Sequence, residues 1–425
     1  MLKINTETEW QNRAREVLPA AGFGNFDASM IIARGEGPRV WDAHGNEYID
    51  YLIGSGPMLL GHGHPEVLEA VYEQLPNGTT FFANNPQGIA LAEAIVEAIP
   101  CCDQVRFVSA GGEADMYAMR LARAYTRKPK LLKFEGGYHG MCAEAQMSLA
   151  PTRQVNFPQA LPDSAGIPAS VAEDMLIAPY NDLDAVASLL AEHDDVAGVI
   201  VEPLQRIIPA KPGFLAGLRA LCDKHSVLLI FDEIVTGFRL AYGGAQELYG
   251  VTPDICTLGK IIGGGFPLAA LGASPEIMAH FDKSVVGPGG WLMQLGTLSG
   301  NPVASAAGLK TMEILHRPGQ YERLRTLGHT LMDMITEALN AHEITHTLCG
   351  DPTLFDVYFT DRECIDYRSA KHDDPTMNVT WNKVLREHGM LKSPAKLYPS
   401  LALSDAELEQ TRSAFASAAQ IIGRT

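Results

Sequence analysis

The feature that most constrains this chain is a series of short, almost uninterrupted apolar segments: "VRFV" (105–108), "LLKF" (131–134), "VAGVIV" (196–201), "VLLIF" (227–231), "ICTL" (255–258) and "LAALGA" (268–273). These runs lack the strict apolar–polar alternation of a half-exposed strand, so both faces of each must be covered. Stretches of helical periodicity separate most of them, for example 183–193 and 214–225. Strands buried on both faces and joined by helices fold as an α/β unit around a mostly parallel sheet. Ligands of such sheets bind beyond the carboxyl ends of the strands, which is where chemistry should be sought. At 425 residues and 46% hydrophobic, the chain can bury one large core and a smaller one. Its flanks read differently from its middle: 1–60 contains a hairpin-like "RVWDAHGNEYIDYL", and 316–425 mixes helices with short strands. We expect 1–60 and 316–425 to fold together as a small domain beside a large domain at 61–315.

Bulk properties remove several classes of partner. A formal charge of -17 disfavours nucleic acid and anionic membranes. Seven cysteines, an odd number scattered from Cys101 to Cys364, make no disulfide framework and point to a reducing, cytoplasmic setting. Cys101 and Cys102 are adjacent, lack CxxC spacing, and read as small hydrophobes. The opening "MLKINTETEWQNRAREVLPAAGFG" has no apolar signal core, and no run of about 18 apolar residues occurs anywhere.

The strand ends carry reactive groups. Asp232 and Glu233 follow "VLLIF", Glu202 follows "GVIV", and "LLKF" runs into Glu135, Gly136, Gly137, Tyr138 and His139. "ICTL" is followed by Gly259 and Lys260, then by Gly263, Gly264 and Gly265. A lysine crowded between a buried run and three glycines loses protonated character and gains nucleophilicity. A fifth strand end, in "FVSAGGEADMYAMRLARAY", passes through residues 109–112 into a helical pattern. Strand, glycine turn and helix N-terminus form an anion cup, because free amides and the helix dipole converge there. An acid on a neighbouring strand can hold a protonated ring nitrogen, and Tyr138 can stack on the ring. Lysine, acid, aromatic and phosphate turn together describe a site for pyridoxal phosphate.

Three other readings compete. "VLLIFDE" resembles the metal-binding strand of an ATPase, but the chain has no GxxxxGK[ST] loop. His62 and His64 of "GHGHP" could share a metal, yet no cluster of further ligands accompanies them; satisfied turn histidines are the plainer reading. A degenerate cofactor fold kept only for binding rests on the hydroxyl-poor turn alone.

With these residues set out, the chain resembles a class III aminotransferase of fold type I, on the side of the glutamate-1-semialdehyde aminomutase branch. The motifs that carry the resemblance are "ARGEGPRVWDAHGNEYIDYL", "GPMLLGHGHPEV", "KFEGGYHG", "VEP", "LLIFDEIVTGFR", "TLGKIIGGGFPLAALGA" and "GTLSGNP". The resemblance implies an α/β fold with a seven-stranded sheet, and pyridoxal 5'-phosphate as cofactor. By the same resemblance Lys260 holds the cofactor covalently and Asp232 pairs with its ring nitrogen. Ile234 and Tyr138 sandwich the ring, His139 joins the cofactor contacts, and Glu202 lies on its hydroxyl side. Ala110, Gly111 and Gly112 form the phosphate turn, and Thr297 reaches the phosphate of a neighbouring subunit, which implies a homodimer with shared sites.

The departures carry information too. The family's turn reads Asn-Ser-Gly-Thr-Glu-Ala; here both hydroxyl positions have become Ala110 and Gly112. Each neutral hydrogen bond lost is worth only about 0.5–1.5 kcal/mol, so backbone amides and the dipole can still hold a phosphate. Gly54 and Ser55 precede "GP" where the aminomutase branch has Ser-Trp, its arginine segment is replaced by "GNFDASMII", and "KSPAKLYPSLALSD" lacks its glutamate. These gaps favour an intermolecular aminotransferase working by ping-pong chemistry between an amino donor and a carbonyl acceptor, over an intramolecular aminomutase. Ser55, Arg206, Arg239 and Lys396 are the candidate substrate contacts. Arg239 could equally serve as a structural ion-pair partner.

Overall fold

The six apolar runs become strands of one sheet, and Met175–Ala178 adds a seventh. The computed structural model describes residues 7–424, so the first six residues of the N-terminal segment lie outside it. Across the sheet the order is Gln104–Val108, Ala269–Ala273, Ile255–Leu258, Leu228–Glu233, Val196–Val201, Lys130–Phe134, Met175–Ala178. Ala269–Ala273 runs antiparallel to both neighbours and the other six strands share one direction. Every residue of Val196–Val201 and Ile255–Leu258 is buried, as their unbroken apolar pattern requires. Parallel register sets Asp232 beside Thr257 and Glu233 beside Leu258, so the acid and the lysine leave adjacent strands at the same edge.

Two helices fix that edge. Gly111–Thr126 covers one face with small residues; the site a Cβ would take on Gly198 lies only 3.3 Å from Ala122 Cβ. Pro302–Leu315 starts with Asn301 accepting a hydrogen bond from the Ala304 amide and with Pro302 in the first turn, a strong start signal. This helix is buried along most of its length and rests on the turn Lys260–Gly263. Contact is closest at Gly308, where a Cβ would lie 1.9 Å from the Ile262 carbonyl oxygen. Only a residue without a side chain lets helix and lysine turn meet.

The ends of the chain meet elsewhere. Ile32–Glu36, Arg39–Asp42 and Glu47–Asp50 form a meander, and Met390–Leu391 joins it parallel to Glu47–Asp50. A second core unites Ile49 and Tyr51 with Leu331, Trp381 and Phe415, the last two stacked at 5.5 Å. Nearby, Lys392 Nζ and Asp356 Oδ2 pair at 2.7 Å with both side chains buried.

Two local expectations change. His62 donates from Nε2 to Asp50 Oδ2 at 2.7 Å, whereas His64 precedes the helix Pro65–Gln74 with its Nδ1 unpartnered. The two rings belong to no common metal-binding cluster among the described residues. Cys101 and Cys102 are more than small hydrophobes, because Cys256 joins them with all three thiols within 4.8 Å. That group was illegible because strand pairing alone brings in a residue so distant in sequence. All seven cysteines are free, and among the described residues no helix is long and apolar enough to cross a membrane.

The contact under Lys260 is testable. On an exposed helix Gly308→Ala should add about 0.5–1 kcal/mol of stability. Here the methyl meets a carbonyl, and overpacking should reverse the sign, with a net loss of about 1–3 kcal/mol in chemical denaturation. A variant at least as stable as the parent would show that the Ile262 carbonyl yields freely.

Candidate active site

Lys260 follows Ile255–Leu258 and Gly259 and opens the short turn Lys260–Gly263 at φ 48°, a left-handed conformation that costs a lysine energy. Burial lowers its pKa; Lys396 and Arg239 push the same way, opposed by Tyr398 and Asp232. The amine therefore gains neutral, nucleophilic character.

Asp232 ends the neighbouring strand and is 4% exposed. His139 Nδ1 bonds to its Oδ2 at 2.7 Å, and the Ile234 amide donates to its Oδ1 at 3.1 Å. His139 is itself buried, and its Nε2 has no partner.

His139 and Tyr138 sit on a loop that three groups hold in shape. Lys133, fully buried, donates from Nζ to the carbonyls of Gly137, Ala145 and Met147 at 3.1, 2.9 and 2.7 Å. Burial pulls its pKa down to about 7, so these carbonyls stand in for lost water. Glu135 takes a two-pronged ion pair from Arg368 at 2.7 and 3.0 Å. Gln205 Nε2 donates to the Glu135 carbonyl at 2.8 Å. The Tyr138 amide donates to Glu202 Oε2 at 2.8 Å, which fixes the ring's root. Arg206 donates from Nε to the Gly136 carbonyl at 3.0 Å and lays its guanidinium 5.0 Å from the Tyr138 ring centre. Arg206 is thereby held as a cation over the aromatic ring.

The glycine turn lies where strand Gln104–Val108 meets helix Gly111–Thr126. Ala110, the residue at the helix cap, makes no side-chain hydrogen bond, and the Glu113 carboxylate instead accepts from the Ser109 amide at 2.9 Å. The amides of Gly111 and Gly112 occupy the first helical positions, where no intrahelical acceptor exists. A Cβ on Gly111 would lie 2.8 Å from Ile234 Cγ2, and one on Gly259 3.1 Å from Ile234 Cδ1. Ile234 is thus wedged between the turn and the lysine's own strand. A Cβ on Gly112 would sit 2.8 Å from Gly140 Cα. The threonine of the family pattern is absent here because the loop after His139 fills its space.

On the other side of Lys260 the structure gathers Gly56, Arg239, Lys396 and Tyr398. A Cβ on Gly56 would touch Lys260 Cδ and Tyr398 Cε1, each at 3.3 Å. Arg239 is completely buried; it donates from Nη2 to the Gly56 carbonyl and stands 5.1 Å from the Tyr398 ring. Its Nε has no partner, no carboxylate pairs with it among the described residues, and burial pulls its pKa down to about 10. The structure therefore overturns the ion-pair reading of Arg239, since its fixed partners are carbonyls. Tyr398 was not anticipated from the sequence. Burial raises its pKa, but Lys396, Lys260 and Arg239 outweigh that and leave the phenol more acidic than usual. Ser55 approaches its hydroxyl, yet the phenol oxygen has no well-formed hydrogen bond. Ser55 is exposed at φ 64°, in a left-handed run that includes Gly54 and Gly56. Thr297 stands apart: it is exposed, and its carbonyl accepts from Thr80 Oγ1 at 3.2 Å.

Comparison with known proteins agrees with this geometry. Residues 23–419 match the family model for aminotransferase class-III. The chain is 43% identical over 401 residues to glutamate-1-semialdehyde 2,1-aminomutase 2 of Brevibacillus brevis, covering 92% of each. It superposes on an omega-transaminase from Sphaerobacter thermophilus with a TM-score of 0.92 at 35% identity, covering 99% of this chain and 98% of that one. It also superposes on a transaminase solved with pyridoxal phosphate bound, with a TM-score of 0.88, 29% identity and 98% of each chain covered. The chain belongs to the class III aminotransferases, pyridoxal-phosphate-dependent enzymes of fold type I that transfer amino groups.

Proposed function

We propose that the protein is an intermolecular transaminase, moving an amino group from an amino acid or amine donor to a separate keto acid or aldehyde. At least one of the two substrates carries a carboxylate. The observation that carries this reading is Arg239, a buried guanidinium beside Lys260 that forms no ion pair with a carboxylate among the described residues. An uncompensated buried charge is costly, and a carboxylate arriving in the pocket would offset that cost. The left-handed Gly54–Ser55–Gly56 run supports the choice of two separate substrates, because it keeps the mouth free of the aromatic residue that the aminomutase branch carries there.

The residues fit pyridoxal phosphate. Unsatisfied amides at Gly111 and Gly112 offer an anion cup, and Ile234 and Tyr138 offer two faces for a flat ring. The bound cofactor supplies an electron sink that loosens a proton on the amine-bearing carbon of the substrate. Lys260 would hold the cofactor through Nζ, and the same amine, when free, is placed to take up and return that proton. Asp232 keeps the ring nitrogen protonated, with His139 and the Ile234 amide holding the carboxylate in place. Glu202 holds the Tyr138 amide and itself lies on the hydroxyl side of the ring. Arg206 and Lys396 are further candidates for the substrate's acid group.

A second copy of the chain completes the site in this reading, with Thr297 of the partner subunit on the phosphate. Exposed apolar side chains beside Thr297, Leu295 and Leu298, favour a covered homodimer face. The shared core of Ile49 and Tyr51 with Leu331, Trp381 and Phe415 supports treating 1–60 and 316–425 as one small domain on 61–315. Seven free thiols favour a reducing, cytoplasmic compartment.

Borohydride reduction followed by peptide mapping should place the cofactor on Lys260, and Lys260→Ala should fold but transfer no amino group. Donor amino acids added without an acceptor should discharge the absorbance of the cofactor-loaded protein. Efficient isomerisation of glutamate-1-semialdehyde with no external donor would sink the intermolecular reading. Arg239→Gln should raise KM for the carboxylate substrate by roughly ten- to a hundredfold, the equivalent of about 1.5–3 kcal/mol, and spare amines that lack the group. Equal effects on both substrate types would mean that Arg239 only supports the Gly56 segment. Restoring the family's threonine by Gly112→Thr should weaken cofactor binding through the clash with Gly140; tighter binding in an absorbance titration would contradict that account.

A further inference from the structure

Behind Asp232 lies a second buried acid that the proposed chemistry does not use. Asp115, on the helix Gly111–Thr126, is 2% exposed. Thr257 Oγ1 donates to its Oδ1 at 2.6 Å, and Thr257 is itself the register partner of Asp232 on the adjacent strand, so the Asp115 carboxyl is set beside Asp232 and feels its charge. Nothing in "GGEADMYAMR" marks this residue, because a charged side chain in a helical repeat ordinarily faces water. Helix packing turns it instead toward the ends of Leu228–Glu233 and Ile255–Leu258.

Two carboxylates in contact inside a dry interior cannot both be ionised, and a hydrogen bond between them requires a proton. The surroundings decide which acid keeps it. Asp232 accepts from His139 Nδ1 and from the Ile234 amide, and Lys260 faces it. Asp115 has the Thr257 hydroxyl, while Glu202 adds a further negative charge and Tyr138 and Cys142 face it as neutral groups. Negative charge settles on the carboxyl with more donors.

We infer that Asp115 is a protonated acid that donates its hydrogen to Asp232, so that the buried pair carries one negative charge, held on Asp232. The inference rests on the reading of Asp232 as the partner of the cofactor's ring nitrogen. Burial, followed by the charge of Asp232, pushes the Asp115 carboxyl well above the usual range, in the same direction. As a positioning residue, Asp115 does two things for that partnership. It supplies the proton that would otherwise sit on Asp232 itself and leave the ring nitrogen without an anion. It also adds a third donor, which fixes the orientation of the Asp232 carboxylate toward the ring.

Infrared spectra of the cofactor-loaded protein in heavy water test this directly. Glu233, pushed by burial to about 7, would add its own band, so the spectra belong above that pH. The expected result is the carbonyl stretch of a protonated carboxylic acid, absent in Asp115→Asn and moved to higher frequency in Thr257→Val, which loses the hydrogen bond to that carbonyl. Native electrophoresis at neutral pH should give Asp115→Asn the mobility of the parent, since a neutral group replaces a neutral group. Stability adds a pH signature. The folded chain keeps this proton while the unfolded chain loses it above about pH 4, so stability of the parent falls relative to Asp115→Asn as pH rises. The gap in Tm should therefore widen in favour of the variant between about pH 5 and about pH 8. A parent spectrum without the acid band, a mobility change of one charge, or a gap that does not move with pH would each overturn the inference. Should Asp115→Asn fail to fold, the parent and Thr257→Val spectra still decide. None of these readouts depends on labelling at Lys260, so a failure of the cofactor reading would be seen separately.

Discussion

A carboxyl group placed where water cannot reach it is the constraint that organises this molecule. Asp232 ends a strand in the middle of the sheet, and its charge must be met by fixed donors. One donor is the Ile234 amide, which the chain supplies as it leaves the strand. The other is His139, which belongs to a different strand's loop and must be brought in and held. Lys133, Arg368 and Gln205 all act on that loop, and each replaces backbone solvation or charge that folding removed. An ammonium shared among three carbonyls, an ion pair from the C-terminal part of the chain and a side-chain amide thus serve one imidazole. Tyr138 belongs to the same loop and its amide meets Glu202 at the end of the neighbouring strand, so the place of that aromatic ring follows from the demand of a single acid.

Close backbone approach is the second recurring device. Gly308 lets a buried helix rest on the lysine turn, Gly111 and Gly259 grip Ile234, and Gly112 meets Gly140. Each contact forbids a methyl group, and each fixes an element that bears on the ligand space. The hydroxyl-poor turn is therefore better understood as a packing solution than as decay. Loss of the threonine position and closure of the 136–141 loop are two descriptions of one contact. A turn that binds through amides alone does not need the side chains that the contact excludes.

Legibility in the sequence followed the range of the interactions. Unbroken apolar runs announced buried strands, because burial on both faces is a local demand on composition. The residues after those runs announced the reactive edge, since a parallel sheet always ends its strands there. Lys260, Asp232, Tyr138 and His139 were readable on those grounds. Asp115, Tyr398 and Cys256 were not, because their roles arise from register and packing between segments far apart in sequence. Arg239 was half readable: its motif marked it as important, but the missing carboxylate partner is visible only in three dimensions. The strand Met175–Ala178, fully buried at the edge of the sheet, was not among the runs read from the sequence.

On the proposed reading, the distribution of charge around Lys260 lets one amine serve both as an anchor and as a proton carrier. Acids lie on the sheet side: Asp232, Asp115 and Glu202 are all buried there. Cations lie on the opposite side, where Arg239 and Lys396 surround the Tyr398 phenol. Lys260 stands at the boundary, and its neighbours push its proton affinity in opposite directions while burial tips the balance downward. On the proposed reading, a substrate bearing both amine and carboxylate meets this field in one orientation only. Its carboxylate belongs with the cations, its amine-bearing carbon then falls beside Lys260, and the cofactor's cationic ring nitrogen belongs with the acids. An amine without a carboxylate would leave Arg239 buried and unpaired, so the field favours the substrate that brings an acid group to it.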